Sequence, residues 1–269
     1  MQHKVIFFCL LLLPCMCLAQ QQTGSVQLYD NFNSAWIDPT KWAATPTCSA
    51  TPFLDTAASL NLVDCIRAIQ GSQLHLMVKA YGHVDSDIDR QFGPSELYFA
   101  NPNAINTISV TVRVNRSAPV ACPSNGTPSF GQALIGGNFF NAGTGDPKDD
   151  VAIAYFIERE ATAAKGTVHA GAVLFSPNAF YGYVDLGIHS LSDVLNAAVS
   201  WDQPNHHFSF RLAHARDIRA RELFYSVSDT TPPVAPMKLL AARAFVPNCT
   251  TQLTSADMDV SFDDVYTSP

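Results

Sequence analysis

The chain has 269 residues and a formal net charge of −7, with 16 Lys and Arg against 23 Asp and Glu. That balance repels phosphate backbones and anionic bilayers, which excludes nucleic acid as an expected partner. Hydrophobic residues make up 47%, too many for general disorder, and charged residues only 14%, below the roughly 25% of an average soluble protein.

Met1–Lys4 is a short polar start, Val5–Leu13 an apolar run, and Cys17-Leu18-Ala19 a cleavage-like site before Gln20. Residues 1–19 therefore read as an export signal. The run is too short for a membrane helix, which needs about 20 apolar residues, and no later stretch qualifies. A lipid-anchored reading of Cys15 or Cys17 is opposed by Pro14 and Met16, which stand where a small residue is wanted. Removing 19 of the 269 residues leaves 250, and losing Lys4 takes the charge to −8. Residues 20–269 suit one large all-β domain, secreted to an extracellular or periplasmic space.

Four cysteines lie beyond the signal: Cys48, Cys65, Cys122 and Cys249. An even number in an exported chain implies two disulfides, with three pairings open. Zinc is disfavoured because no C-x-x-C pair occurs among them. The expected pairing is Cys48–Cys65, tying the opening loop to the next strand, and Cys122–Cys249, joining two distant turn-rich segments. Asn115, Asn125 and Asn248 begin N-glycosylation sequons, which matter only in a eukaryotic source.

The dominant hydrophobic period is two. Leu74, Leu76, Val78 and Ala80 alternate with polar or bulkier neighbours. So do Ile108, Val110, Val112 and Val114, then Phe208, Phe210 and Leu212, and finally Met258, Val260 and Phe262. Such alternation marks antiparallel strands with one buried and one wet face. Gly71-Ser72 between two such runs predicts a hairpin with a type II′ turn. Asp202–Asn205 predicts a longer hairpin, and His214–Glu222 a helical turn or two. Val151–Ile157 is apolar on both faces, so it reads as a central strand covered on both sides. About a dozen strands and little helix give an antiparallel β-sandwich. Thr230–Pro236 reads as a loop within it.

Several segments in order resemble the concanavalin A-like lectin/glucanase fold, particularly family 16 glycoside hydrolases. Tyr29–Asn33 with Trp36–Trp42 is similar to their opening "D-x-F … kW". Gly71–Leu76 resembles the next hairpin, Ala198–Asp202 with Phe208–Phe210 a later one, and Phe262–Tyr266 the closing strand. The resemblance implies a jelly-roll sandwich whose open face receives sugar chains. It also implies a structural calcium, held by Asp263 of the closing strand. Those hydrolases carry E-x-D-x-(x)-E on a central strand, because retaining hydrolysis needs two carboxylates about 5 Å apart. The corresponding positions here are Asp150, Ala152 and Tyr155, so two of the three carboxylates are missing. Ser95-Glu-Leu97 and Leu74-His-Leu76 likewise match only fragments of the R-x-E-L and Q-x-H strands of alginate-lyase-like sandwiches.

Other clusters are weighed against ordinary roles. Glu158 and Glu160 share a strand face and could pair, but also suit a solvated strand end. Asp85, Asp87, Asp89 and Arg90 form a polar loop before Glu96 and Tyr98, an acid–guanidinium–phenol set that suits sugar hydroxyls. Gly143–Asp146 with Asp149 and Asp150 could offer oxygen ligands, or be an acidic turn. His206 and His207 point opposite ways on a strand, which disfavours shared ligation. Arg211, Arg216, Arg219 and Arg221 read as a solvated basic face.

The leading expectation is a secreted, non-catalytic protein that binds a polysaccharide through Arg90, Glu96, Tyr98 and Arg113, needing no cofactor. Arg113 enters on the assumption that its strand lies beside that of Glu96. The alternatives are a divergent glycoside hydrolase or polysaccharide lyase, and a structural or adhesive envelope protein.

Overall fold

The computed structural model describes residues 25–43, 51–52, 63–84, 90–143 and 145–269. The expected export signal, Cys48 and the Asp85–Asp89 loop lie outside the described residues. Strands are numbered in chain order.

The alternating runs become two antiparallel sheets packed face to face. In the first, β14 (Asp217–Phe224), β13 (His207–His214), β12 (Val194–Asp202), β7 (Thr107–Arg116), β16 (Ser255–Ser268), β5 (Gln73–Tyr81) and β4 (Val63–Gln70) lie side by side, and β1 (Gln27–Asp30) pairs with β16. In the second, the order is β11 (Ala179–Ser190), β10 (Thr167–Ser176), β9 (Asp150–Glu160), β8 (Phe130–Asn141), β15 (Lys238–Pro247), β6 (Arg90–Phe99) and β2 (Trp42–Ala43). A further strand, β3 (Thr51–Pro52), pairs with β6.

The period-two apolar sets meet between the sheets. Leu74, Leu76, Val78, Ile108, Val110, Val112, Phe208, Phe210, Val260 and Phe262 of the first sheet pack on Leu97, Ile135, Ile153, Tyr155, Leu174 and Leu240 of the second. Burying one such side chain is worth about 1.5–3 kcal/mol, so the alternation itself fixes which face of each strand turns inward. At one end Asp30 accepts hydrogen bonds from the Phe32 backbone N–H (3.0 Å) and the Trp42 indole (2.7 Å), and Phe32 stacks on Trp42 at 5.6 Å. The opening motif is thus a structural clasp.

Two local expectations change. Gly71 and Ser72 have φ of 58° and 60°, so the hairpin turn is type I′ rather than II′, matching the strands' right-handed twist. Residues 214–222 form no helical turn: His214 pairs with Asp217 and the segment continues as β14. Its arginines suit an edge strand, and Arg219 donates to the Leu186 carbonyl of β11 at 2.8 Å, tying the edges of the two sheets together. Gly187 leaves the space that this guanidinium fills.

Cys122 and Cys249 are disulfide-bonded with Cα atoms 5.5 Å apart, joining the segment after β7 in one sheet to that after β15 in the other. Cys65 is also disulfide-bonded. Among the described residues no helix is long and apolar enough to cross a membrane.

Candidate binding face on the second sheet

Alternation leaves the second sheet with an outward face, and that face is not uniformly polar. Leu134 of β8, Phe156 of β9, and Leu239 and Ala241 of β15 form a separate buried cluster there, with Tyr98, Ala154, Val173 and Met237 packed against it. Three central strands carry apolar residues on both sides, as Val151–Ile157 predicts. Toward one end the floor opens into a recess of about 270 Å³ lined by Leu134, Asn138, Ala154, Phe175, Met237 and Leu239.

Polar groups frame this floor in register. At the β6 edge the Glu96 carboxylate accepts from Arg243 Nε (3.0 Å) and Nη2 (2.7 Å) and from the Tyr98 hydroxyl. Burial, reinforced by that carboxylate, raises the Tyr98 pKa, so the phenol stays protonated. The Arg243 guanidinium also lies 5.7 Å from the Phe92 ring centre, and Phe92, Phe245 and Phe130 stack in sequence at 4.8 and 4.4 Å.

Backbone pairing places Arg243 opposite Gln132, Gln132 opposite Glu158, and Glu158 opposite His169. Gln132 donates to Glu158 at 3.1 Å. His169 Nε2 lies 3.0 Å from Asp185 and 3.3 Å from the Tyr183 hydroxyl, and its Nδ1 lies 3.9 Å from Glu158. Burial raises the Glu158 pKa, whereas the hydrogen bond from His169 lowers that of exposed Asp185. Phe156 stacks on Tyr183 at 6.3 Å, an overlap allowed by Gly171, where an added Cβ would meet the Phe156 ring at 2.9 Å and the Tyr183 ring at 3.1 Å.

Glu96 and Tyr98 therefore share a face, as their spacing predicts. Arg90 lies on the same strand, its backbone opposite Pro247. Arg113 is not beside them: β7 belongs to the first sheet, between β12 and β16, and Arg113 is exposed on the opposite outer surface. The chain crosses between sheets at the 3₁₀ turn Pro102–Ala104, so β6 and β7 are neighbours in sequence but not in a sheet. Arg243, Gln132, His169, Tyr183 and Asp185 complete the face and are not among the residues that the sequence singles out. The available signal was a lone charged residue within the apolar strand Ala241–Phe245.

Asp150, the position resembling a nucleophile, is buried and accepts from Asn141 (2.8 Å) and from the backbone N–H groups of Val234 (2.8 Å) and Ala235 (2.7 Å). It pins the Thr230–Pro236 loop. Asp263 accepts from Gln73 (3.4 Å) and the Asp264 backbone (2.8 Å). Ca²⁺ takes six to eight oxygen ligands, and among the described residues no group of three or more His, Cys, Asp or Glu converges for a metal. Asp146 caps its own turn and Asp149 accepts from Asn178, so the acidic turn is structural. His206 sits in the left-handed region before β13 and binds Asp229, while the His207 ring on the strand packs on Phe224, so the turn and not strand alternation separates the two rings.

No protein-family model matches the chain, and no curated protein matches its sequence. Among solved structures it is similar to a Mycobacterium abscessus protein assigned as a β-glucanase, at 11% identity and a TM-score of 0.45, over 90% of this chain and 98% of that one. It is also similar to a GlcNAcα1-4Gal-releasing endo-β-galactosidase from Clostridium perfringens, at 11% identity and a TM-score of 0.43, over 90% of this chain and 62% of that one. A third likeness is lectin UEA-II, complexed with galactose, at 12% identity and a TM-score of 0.33, over 80% of this chain and 98% of that one. At these values the likenesses carry no argument about family or activity; the sandwich stands on its own strand pairing.

Proposed function

We propose that the chain is a secreted carbohydrate-binding protein that receives a neutral polysaccharide across the outward face of the second sheet and does not cleave it. The observation that carries this reading is an apolar floor in which partly exposed Ala154, Val173 and Met237 lie over buried Leu134, Phe156, Leu239 and Ala241, framed by the Tyr98–Glu96–Arg243 set on one side and Tyr183, His169 and Asp185 on the other. A sugar ring offers apolar C–H faces and a belt of hydroxyls, which such a surface matches. The strands from β6 to β11 span about 24 Å at about 4.8 Å each, long enough for a chain rather than one ring. Arg243 is neutralised by Glu96, and Glu158, Glu160 and Asp185 leave the face acidic, which opposes a polyuronate.

The no-cleavage half rests on geometry. Hydrolysis needs two carboxyl groups facing across open space, about 5–5.5 Å apart for retention or about 6.5–9.5 Å for inversion. Between Glu158 and Asp185 stands the His169 ring, in contact distance of both. Affinity electrophoresis against neutral and uronic polysaccharides, with reducing-end assays, tests the reading. Retardation by a neutral polymer, weakened at least tenfold in Tyr98→Ala and Arg243→Ala, is expected. Hydrolysis that disappears in Glu158→Gln would replace this reading with the enzyme one. Export is tested by N-terminal sequencing of released protein, with Gln20 expected first.

A further inference from the structure

We propose a second, separate binding site: the polar recess at the Trp201 end of the sandwich takes a single neutral sugar ring. The recess has a volume of about 290 Å³ and is lined by Asn103, Asn106, Trp201, Gln203, Thr230 and Thr231, closed by Phe139, Asp229 and two prolines. That is the lower end of the range for small-molecule sites, of order one ring rather than a chain.

Separate chain segments bring these groups together. Asn103 sits in the 3₁₀ turn Pro102–Ala104, Asn106 just before β7, Trp201 in β12, Gln203 in the turn Gln203–Asn205, and the threonines in the loop that Asp150 pins. The indole is held rigidly. It stacks on Phe140 at 5.5 Å and Phe208 at 6.3 Å, and its Nε1 donates to the Tyr225 hydroxyl at 2.6 Å. That hydroxyl donates to Asp229 at 2.7 Å, and His206 Nδ1 lies 2.9 Å from the same carboxylate oxygen. Gln203 Nε2 anchors to the Asp229 carbonyl at 2.7 Å.

The buried Asp229 carboxylate is thus already engaged, and among the described residues no other charged side chain lines the recess. What remains for a ligand is uncharged: the side-chain amides of Asn103 and Asn106 and the Thr231 hydroxyl make no hydrogen bond to another described residue. Amides that both donate and accept suit hydroxyls, which do the same, and the half-buried indole suits a C–H face. A rigidly held indole with unspent polar groups around it fits a polyol, and the recess shares no residue with the outward face of the second sheet.

The test is calorimetric titration of the full chain with glucose, galactose, mannose and N-acetylglucosamine, in wild type, an Asn103→Ala/Asn106→Ala variant and Arg113→Ala. Expected is a dissociation constant of order 1 mM for at least one sugar, weakened at least tenfold in the asparagine variant and unchanged in Arg113→Ala. The asparagine variant should keep the wild-type melting temperature, because neither amide supports the fold. The absence of saturable binding at concentrations on the order of 10 mM, or binding that the asparagine variant leaves intact, overturns the proposal. Failure of polysaccharide binding on the other face would not affect it.

Discussion

Replacing Lys238 with methionine should abolish a rise in stability with pH that the wild-type chain shows above neutrality. Lys238 is 2% exposed, on the inward face of β15. Its ammonium donates to the Pro102 carbonyl at 2.8 Å and the Asn138 carbonyl at 3.0 Å, and lies 4.2 Å from the Phe139 ring centre. No carboxylate pairs with it among the described residues. Burial lowers its pKa from 10.5 to about 7. Between those values the unfolded chain holds a proton that the folded chain has released, so stability increases with pH. Each pH unit within the window contributes up to about 1.4 kcal/mol, so going from about pH 7.5 to about pH 9 should add about 2 kcal/mol. Measurements should stop there: burial raises the pKa values of Tyr98, Tyr155 and Tyr225, and raised phenols reverse the slope above about pH 10. Urea unfolding under non-reducing conditions, at constant m-value, reads the difference directly. Equal pH slopes in wild type and Lys238→Met would refute the reasoning.

Asp150→Asn should cost about 3 kcal/mol in urea unfolding, because a buried carboxylate accepting three N–H groups loses charge-assisted bonds worth about 1.5–3 kcal/mol each, partly retained by the amide; a change below about 0.5 kcal/mol would contradict its clasp role. Cys122→Ala with Cys249→Ala should lower stability by about 4–5 kcal/mol, the chain-entropy value for a loop of about 100 residues or more, read as a shift in urea midpoint. The raised pKa of Glu158 means that the folded state holds its proton longer than the unfolded state. Stability therefore falls as pH rises from the unfolded value of about 4.5, and Glu158→Gln should flatten that fall in thermal melts across acid pH. Gly171→Ala should push Phe156 and Tyr183 apart, cost about 1–3 kcal/mol and weaken polysaccharide retardation; unaltered retardation would move the site off this stack.

Period-two alternation made the fold legible because it records which side of each strand is dry, and a sandwich is two such sides pressed together. It could not say which sheet a strand joins. Ile108–Val114 reads the same in either sheet, so its pattern does not separate Arg113 from Glu96 although the chain has crossed over at Pro102–Ala104. Glu96 and Tyr98 were legible because two residues apart on one strand is a purely local relation. Their partner Arg243 lies 147 positions away in sequence, and only strand order brings it near. The aspartates of motif-like segments were legible as polar, yet Asp30 and Asp150 turn inward to hold backbone and indole N–H groups, a role that spacing alone does not separate from chemistry.

The two outer faces of the sandwich show why polarity by itself does not mark a binding surface. On the first sheet Asp257 binds Arg116, Asp259 binds His75 and Asn115, and Thr111 binds Asn196. These groups satisfy one another along β5, β7, β12 and β16, with exposed Ile66, Val194, Ile218 and Phe224 scattered on the strands of the same sheet, so a ligand on the polar set would exchange existing hydrogen bonds for new ones at little net gain. The second sheet differs in having Leu134, Phe156, Leu239 and Ala241 beneath its polar frame. A sugar laid there covers what the partly exposed Tyr98, Ala154, Val173 and Met237 still show to water as well as meeting hydroxyl partners, and removing apolar area from water is worth about 25 cal/mol per Å² without any matching loss. Affinity should therefore follow the floor: substitutions of its partly exposed side chains such as Val173→Ser should weaken polysaccharide binding more than removal of any single charge on the first sheet, Arg113→Ala included. Equal losses from both faces would mean that the sugar chain is held by scattered polar contacts and not by this floor.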